Sequence, residues 1–390
     1  MELKPCAFIN PRLHPKHLST PQDDFTIIRA WQEIVAQAIR ARATDIHIEA
    51  HEDKTAIRIR VDGELQPVAT HTDVVHERII ARIKVLARLD IAEQRLPQDG
   101  RLLLGLNYSK PDIDCRVSIL PTLHGEKAVL RLLPSNTHEL NLKKIGLHPE
   151  QETLLVDAIT QPDGLILVTG PTGSGKTRTL YSCLNQLNHS HLNLCSIEDP
   201  IEIRLQGVNQ VAYHPKAGLD FNCIVRAMLR QDPDVILIGE IRDAATAKLA
   251  IQAAQTGHLV LSTLHTRSAI ASAIRLRSLG ISYDELRACL RCVTSQRLVR
   301  TLCSNCQGHS RDSVCSQCAG SGLFGRIGVH EVLPFSSTMA DAFERYSSIT
   351  ELTQFAKSVG FEDMRVAGMR HITQERISPT ELLAQIGSWH

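Results

Sequence analysis

Several features that would fix a function class at once are missing from this 390-residue chain. No apolar run approaches the roughly 18–20 residues that a membrane-spanning helix needs. The first residues, with Pro5, Asn10, Pro11, His14 and Pro15, contain no apolar signal-peptide core. Neither sign of charge dominates, with 43 Lys and Arg against 42 Asp and Glu. The electrostatic footprint of a duplex-DNA binder is therefore absent, and no nucleic-acid partner is expected. There is no internal repeat and no low-complexity tract. A disulfide framework is missing too: of eleven cysteines, seven are scattered (Cys6, Cys115, Cys183, Cys195, Cys223, Cys289 and Cys292) and four cluster between residues 303 and 318. That pattern suggests a reducing compartment and one metal site. The expectation is a soluble, cytosolic protein of two or three domains, able to dock on a membrane complex.

What is present centres on Leu165-Ile-Leu-Val-Thr-Gly-Pro-Thr-Gly-Ser-Gly-Lys-Thr177. Leu165 to Val168 read as a short buried strand, and Arg178 to Leu187 as a helix. Between them stand Gly170, Pro171, Thr172, Gly173, Ser174, Gly175, Lys176 and Thr177. Strand, glycine loop and helix in this order make a phosphate-binding loop for a nucleoside triphosphate. The glycines permit close backbone approach. Successive N–H groups and the helix N-terminus then converge on the phosphates, with Arg178 opening the helix. Lys176 supplies a point charge to the outer phosphates, and the Thr177 hydroxyl is placed to ligate Mg²⁺. The cofactors expected from the loop are therefore a nucleoside triphosphate and Mg²⁺.

Around this loop the chain divides. Residues 1–23 read as a loosely ordered arm. Phe25 to Arg40 carries apolar residues at helical spacing, and Thr44–Glu49 alternates like a half-buried strand. Thr55 to Leu65 reads as a hairpin turning at Asp62-Gly63. A helix follows over about Asp73 to Leu89, then turn material at Leu96–Arg101, and alternating stretches at 113–120 and 126–133. Residues 24–134 thus form a small α+β domain, with 135–149 a linker. From 150 to 390, strands at Leu165–Val168, Asn193–Ile197, Val235–Ile238 and Leu259–Thr263 alternate with helices. This is the α/β pattern of a mostly parallel sheet. Ala244–Thr256 is one such helix, with Asp243 as N-cap and Gly257 as stop. Ser268 to Arg300 reads as largely helical.

Chemistry-bearing residues sit at strand ends. Val235–Ile238 runs into Gly239-Glu240, which delivers a carboxylate beside the loop; Glu240 is the choice for orienting or deprotonating the attacking water. Glu198, in Ser196-Ile-Glu-Asp-Pro-Ile-Glu202, either helps hold Mg²⁺ or water or belongs to an acidic turn. His258 and His265 flank one strand, and are either structural or reporters of the γ-phosphate. Cys303, Cys306, Cys315 and Cys318 form two pairs with knuckle spacing, separated by eight residues. They read as a closed structural Zn²⁺ site over 303–318. Cys289 and Cys292, in an apparent helix, read as packing. Arg95, Arg101, Arg116 and Arg131 mark the first domain; such arginines are either solvated or act as fingers on a neighbouring subunit's nucleotide.

Four blocks occur in fixed order: Gly170–Thr177, Ser196–Glu202, Asp232–Asp243 and Thr256–Thr266. They resemble the Walker A, Asp-box, Walker B and His-box motifs of the GspE/PilB family, the ATPases of type II secretion and type IV pilus assembly. Ala43–Glu49, Arg60–Gly63, Leu96–Arg101, Gln296–Arg300 and Gly325–Glu331 look like further signatures of that family, so the likeness runs from about residue 25 to the end. It implies a homohexamer, a PAS-like domain over 24–134 and a RecA-like ATPase domain over 150–390, with ATP between them. It implies that Arg101 and Arg116 reach the nucleotide, that Glu240 is the catalytic glutamate, and that His265 is the His-box residue. The four-cysteine element resembles the assembly branch rather than retraction motors. The partner implied is a polytopic inner-membrane platform protein, through which pilin or pseudopilin subunits are added, and the location is the cytoplasmic side of the inner membrane. The chain looks like a short form without the extra N-terminal domain of larger members, and Arg267 stands where asparagine is common.

Other readings stay open at this level. They are a retraction motor, a conjugation-type translocation ATPase, an ATP-locked adaptor scaffold without turnover, and a zinc module that binds nucleic acid or peptide.

Overall fold

The computed structural model describes residues 21–71, 73–104, 113–133, 140–214, 218–309, 315–318, 320–346 and 348–387. Residues 1–20, most of the segment read as an arm, lie outside this set. The chain divides into two compact units, residues 1–135 and 136–390.

The first unit is organised by alternation. Helix α1 (Pro21–Arg40) buries Ile27, Trp31, Ile34, Val35 and Ala38, one stripe recurring every three or four residues. Strands β1 (Asp45–Ala50), β2 (Thr55–Val61) and β3 (Glu64–His71) lead to helix α2 (Asp73–Ala87) and then to β4 (Gln98–Leu104), β5 (Ile113–Thr122) and β6 (Gly125–Leu132). The six strands form an antiparallel sheet in the order β3-β2-β1-β6-β5-β4. Ile46, Ile48, Ile57, Ile59, Val117, Ile119, Ala128 and Leu130 point into the core. The hairpin β2–β3 turns at Asp62 (φ 48°) and Gly63 (φ 95°), the left-handed pair that a two-residue hairpin loop requires.

Two expectations change here. The helix begins at Pro21, inside the segment read as an arm. Gln98–Arg101 is strand, not turn: Gly100 pairs with Val117, and a Cβ there would stand 2.9 Å from Leu89 Cδ2 and 3.0 Å from the Ala87 carbonyl. The Asp-Gly pair, a turn signal elsewhere, serves here to let a strand lie against the end of α2.

The second unit begins inside what reads as linker. Leu140, Leu142, Ile145 and Leu147 are buried in its core, ahead of α3 (Pro149–Ile159). Then come β7 (Gly164–Thr169), α4 (Lys176–Leu187), β8 (Leu194–Glu198), β9 (Val208–Ala212), α5 (Phe221–Met228), β10 (Val235–Ile238), α6 (Ala244–Gln255), β11 (Leu259–Leu264), α7 (Ala269–Ser278) and α8 (Tyr283–Cys289). Asp243 caps α6 through the Thr246 N–H, as its sequence suggests. A long hairpin, β12 (Leu290–Leu302) and β13 (Leu323–Pro334), and helices α9 (Ser337–Arg345), α10 (Ile349–Ser358), α11 (Met364–Thr373) and α12 (Pro379–Ile386) complete the unit. The sheet order is β13-β12-β7-β11-β10-β8-β9, parallel except for the β12–β13 pair.

The expectation of helix through Arg300 fails from Leu290 onward. Leu290, Cys292, Val293, Thr294 and Ser295 are buried because the strand is covered on both faces, so its pattern is a run and not an alternation. Cys289 ends α8 and Cys292 lies in β12; both are buried.

One carboxylate joins two helices of this unit. Glu331 of β13 accepts from the first N–H of α7 (Ala269, 2.8 Å) and from that of α11 (Met364, 3.1 Å). Burial nevertheless pushes its carboxyl up to about 7. The folded state therefore holds the proton more tightly than the unfolded chain. That stability is fully present below the ordinary glutamate value and is lost as pH rises through about 7. We expect urea unfolding of the second unit to weaken by about 3 kcal/mol between pH 4.5 and 7.5, with the slope flattened in Glu331→Gln. Parallel pH profiles for the two proteins would refute the assignment.

Candidate nucleotide site

The registers of the parallel sheet build the site. Thr169, the last residue of β7, pairs with Leu264 on one side and Ser295 on the other. Ile238 pairs with Ile197 and Ser262. The glycine loop, Glu198, Glu240, His265 and Gln296 therefore come to the C-terminal edge of one sheet, where open α/β sheets bind ligands. Gly170, Gly173 and Gly175 all have positive φ. Gly170 is the tightest: a Cβ would stand 2.6 Å from both the Gln296 carbonyl and the Ser174 hydroxyl.

Lys176 and Thr177 open α4. The Lys176 ammonium donates to the carbonyls of Gly170 and Pro171, both at 3.0 Å. Burial pushes its pKa below the ordinary lysine range, against the pull of Glu240 and Glu202. Pro171, Thr172 and Gly173 are exposed on the outer turn of the loop, Ser174 is buried, and Arg178 is exposed beyond it.

Glu240 is half-buried, with one oxygen 3.4 Å from His265 Nε2. Its other oxygen takes the Arg242 guanidinium, which also reaches Asp199 at 3.2 Å. His265 thus joins Glu240. His258 does not: its Nδ1 lies 3.0 Å from the Ala253 carbonyl and 3.1 Å from the Thr256 hydroxyl, where it finishes helix α6.

Glu198 is held apart from this group. It is buried, and its carboxylate accepts from Tyr181 Oη, from Ser196 Oγ at 2.6 Å and from Gln210 Nε2 at 3.1 Å. Both oxygens are taken by side chains of the fold, so its immediate effect is to tie α4 to β8 and β9. Burial beside Glu198 raises the Tyr181 hydroxyl well above the usual tyrosine range, which keeps it a donor.

In the first unit, Arg101, Arg116, Arg131, Asp45 and Arg60 are register partners across five strands. Arg101 makes two bonds to Asp114, at 2.9 and 2.7 Å, and Arg131 reaches Asp45 at 2.9 Å. On the same face Glu49 takes Arg58 and Lys127; burial raises its carboxyl, but the two cations outweigh that and hold it at about 2.

The sulfur atoms of Cys303, Cys306, Cys315 and Cys318 all lie within 4.8 Å of one another. Two of the separations are 3.8 Å (Cys303–Cys315) and 3.6 Å (Cys306–Cys318). Those are too long for disulfides. Four thiolates about 2.3 Å from a tetrahedral Zn²⁺ would stand about 3.8 Å apart, so the donor set fits a closed thiolate metal site. Residues 310–314 of the intervening loop lie outside the described set.

A family model described as "Type II/IV secretion system protein" matches residues 20–384. The chain belongs to that family. It is 40% identical over 386 residues to the type IV pilus assembly ATPase PilB of Acinetobacter baylyi, an alignment covering 93% of this chain and 66% of that relative. It is 42% identical over 366 residues to the type II secretion system protein HxcR of Pseudomonas aeruginosa, covering 93% and 78%. The chain thus spans just under two thirds of the pilus relative's length. Among solved structures, the pilus retraction motor PilT with bound ADP is similar at TM-score 0.63 and 25% identity, over 90% of this chain and 96% of that one. The Legionella pneumophila ATPase DotB shares the fold at TM-score 0.71 and 21% identity, over 91% and 95%. No helix among the described residues is long and apolar enough to cross a membrane.

Tyr181, Gln210, Arg242 and Gln296 escaped the reading of the sequence. Gln296 and Arg242 carried a signal, each as part of a signature block without a role of its own. Removing the Tyr181 donor leaves a buried carboxylate short of one partner, which costs about 1–3 kcal/mol. Tyr181→Phe should lower the denaturation midpoint accordingly; an unchanged midpoint would mean that Glu198 does not need this bond.

Proposed function

We propose that the chain is one subunit of a homohexameric ATP-hydrolysing motor that drives assembly of a type IV pilus or a type II secretion pseudopilus. The observation that carries this reading is the gathering of the glycine loop, Glu240 and His265 at one edge of a parallel sheet. The names of its 40–42% identical relatives support the process.

The chemistry follows from the residues. Loop N–H groups from Pro171's neighbours to Thr177 cradle the phosphates, and Lys176 exchanges its two carbonyl partners for phosphate oxygens. A cation already stripped of water exerts a stronger field on those oxygens. Glu240 accepts a hydrogen bond from the attacking water and aligns it with the γ-phosphorus. The bond from that phosphorus to the bridging oxygen breaks, leaving ADP and phosphate. Arg242 competes with the water for Glu240, and His265 beside it senses whether the carboxylate is engaged. Thr177 would hold Mg²⁺, whose charge compensates the phosphates when bound. Arg101 and Arg116 are the proposed source of further compensation at the nucleotide. The first unit is taken as PAS-like and the second as RecA-like. Cys303, Cys306, Cys315 and Cys318 would hold a structural zinc, which favours the assembly branch. The working partner is a polytopic inner-membrane platform protein, with the hexamer peripheral to that membrane.

Glu240→Gln should keep ATP affinity while turnover falls about 100-fold or more; near-normal turnover by phosphate release would sink the reading. Cys303→Ser with Cys306→Ser should lose about one zinc per chain by native mass spectrometry. An unchanged metal content would reject the site.

A further inference from the structure

Strand β12 lies beside the loop strand β7 and meets the site at two consecutive residues. Gln296 is 2% exposed. Its Nε2 donates to the Ser174 carbonyl at 2.7 Å, and its Oε1 accepts from the Thr179 hydroxyl at 2.8 Å. The orientation is forced, because a backbone carbonyl can only accept; the amide nitrogen must face Ser174, and Thr179 must then donate. The Gln296 carbonyl also backs Gly170, and the side-chain Nε2 lies 3.2 Å from where a Cβ on Gly175 would stand. The next residue, Arg297, points to the other face of the strand. There its guanidinium donates to the Arg267 carbonyl at 3.0 Å, two residues past His265.

We propose that Gln296 is a positioning residue of the phosphate loop, which its side-chain amide holds open in a nucleotide-ready shape. The inference rests on the nucleotide-binding reading above. A glycine-rich loop has many conformations to lose when it wraps a triphosphate. Gln296 removes part of that loss beforehand, by fixing the Ser174 carbonyl outward from the cradle and the first turn of α4 beneath it. The side chain is buried and bonded at both ends of its amide, so it has little freedom of its own to lose.

The test is Gln296→Glu, measured by equilibrium binding of a fluorescent ATP analogue from pH 5.5 to 8.5. An ionised carboxylate sets a second oxygen against the Ser174 carbonyl and drives the loop away. A protonated one regains an O–H donor at nearly the same point, and burial lifts its pKa towards this range. Affinity should be about tenfold weaker than wild type at pH 8 and should recover towards wild type as pH falls. The charged and titratable groups around the position are Lys176 on α4, Arg297 on β12, and His330 and Glu331 on β13. All are present in the wild type, whose own profile subtracts them. Thermal melts at each pH report folding, and Thr179→Val is a second variant, expected to bind about three- to tenfold more weakly. If wild type binds no ATP analogue, the nucleotide reading fails and not this inference alone. If wild type binds, unchanged affinity of folded Gln296→Glu at pH 8 overturns the inference. Weak binding without recovery at low pH overturns it too, since a donor and not bulk is what is claimed.

Discussion

Everything at the nucleotide edge inherits its position from one constraint, the parallel ladder that seats Thr169 between Leu264 and Ser295. Strands β7 and β11 are short and buried along their whole length, and β12 is buried where it meets β7. Their registers are therefore fixed by packing, and the residues that follow them emerge at fixed points. A slip of one residue in β7 would turn its side chains to the opposite face and carry Gly170 off the Gln296 carbonyl. The hydroxyl of Thr169 reinforces the register by donating to the Thr294 carbonyl at 3.1 Å.

Two carboxylates at this edge show how environment separates roles. Glu198 is buried and surrounded by three side-chain donors, which tie it to α4, β8 and β9. Glu240 is half-buried and is held by Arg242 and His265, groups that stand at the open edge and can be exchanged for others. The difference lies not in distance along the chain but in which neighbouring strand each one faces. Satisfied polar groups in a core fix a geometry, whereas the partners of a carboxylate at a rim, here the exposed Arg242 and His265, can be replaced by water.

Much of this was legible locally. The glycine loop, the strand that ends at Glu240 and the paired cysteines are contiguous patterns, and contiguous patterns survive reading one residue at a time. The α/β alternation of the second unit was readable for the same reason. Strand β12 was not, because apolar residues on a strand covered from both sides fall at spacings that a helix would also show. With β12 unread, Gln296 and Arg297 had no place at the site. Tyr181 was missed because its partner Glu198 lies on another element, and Arg242 because two residues of spacing in a loop do not show that it folds back on Glu240 and reaches Asp199. Gly100 misled for a subtler reason: an Asp-Gly pair marks a turn only where the chain has room to turn.

The double engagement of Glu331 has a mechanical consequence. Its two oxygens pin the first residue of α7, just past His265, and the first residue of α11, near the end of the chain. Drawing either helix away would strand a buried carboxyl, so the two cannot slide past one another by degrees. The start of α7, just past His265, and the start of α11 thus share one buried anchor on β13, so neither can leave its place without exposing the other's partner.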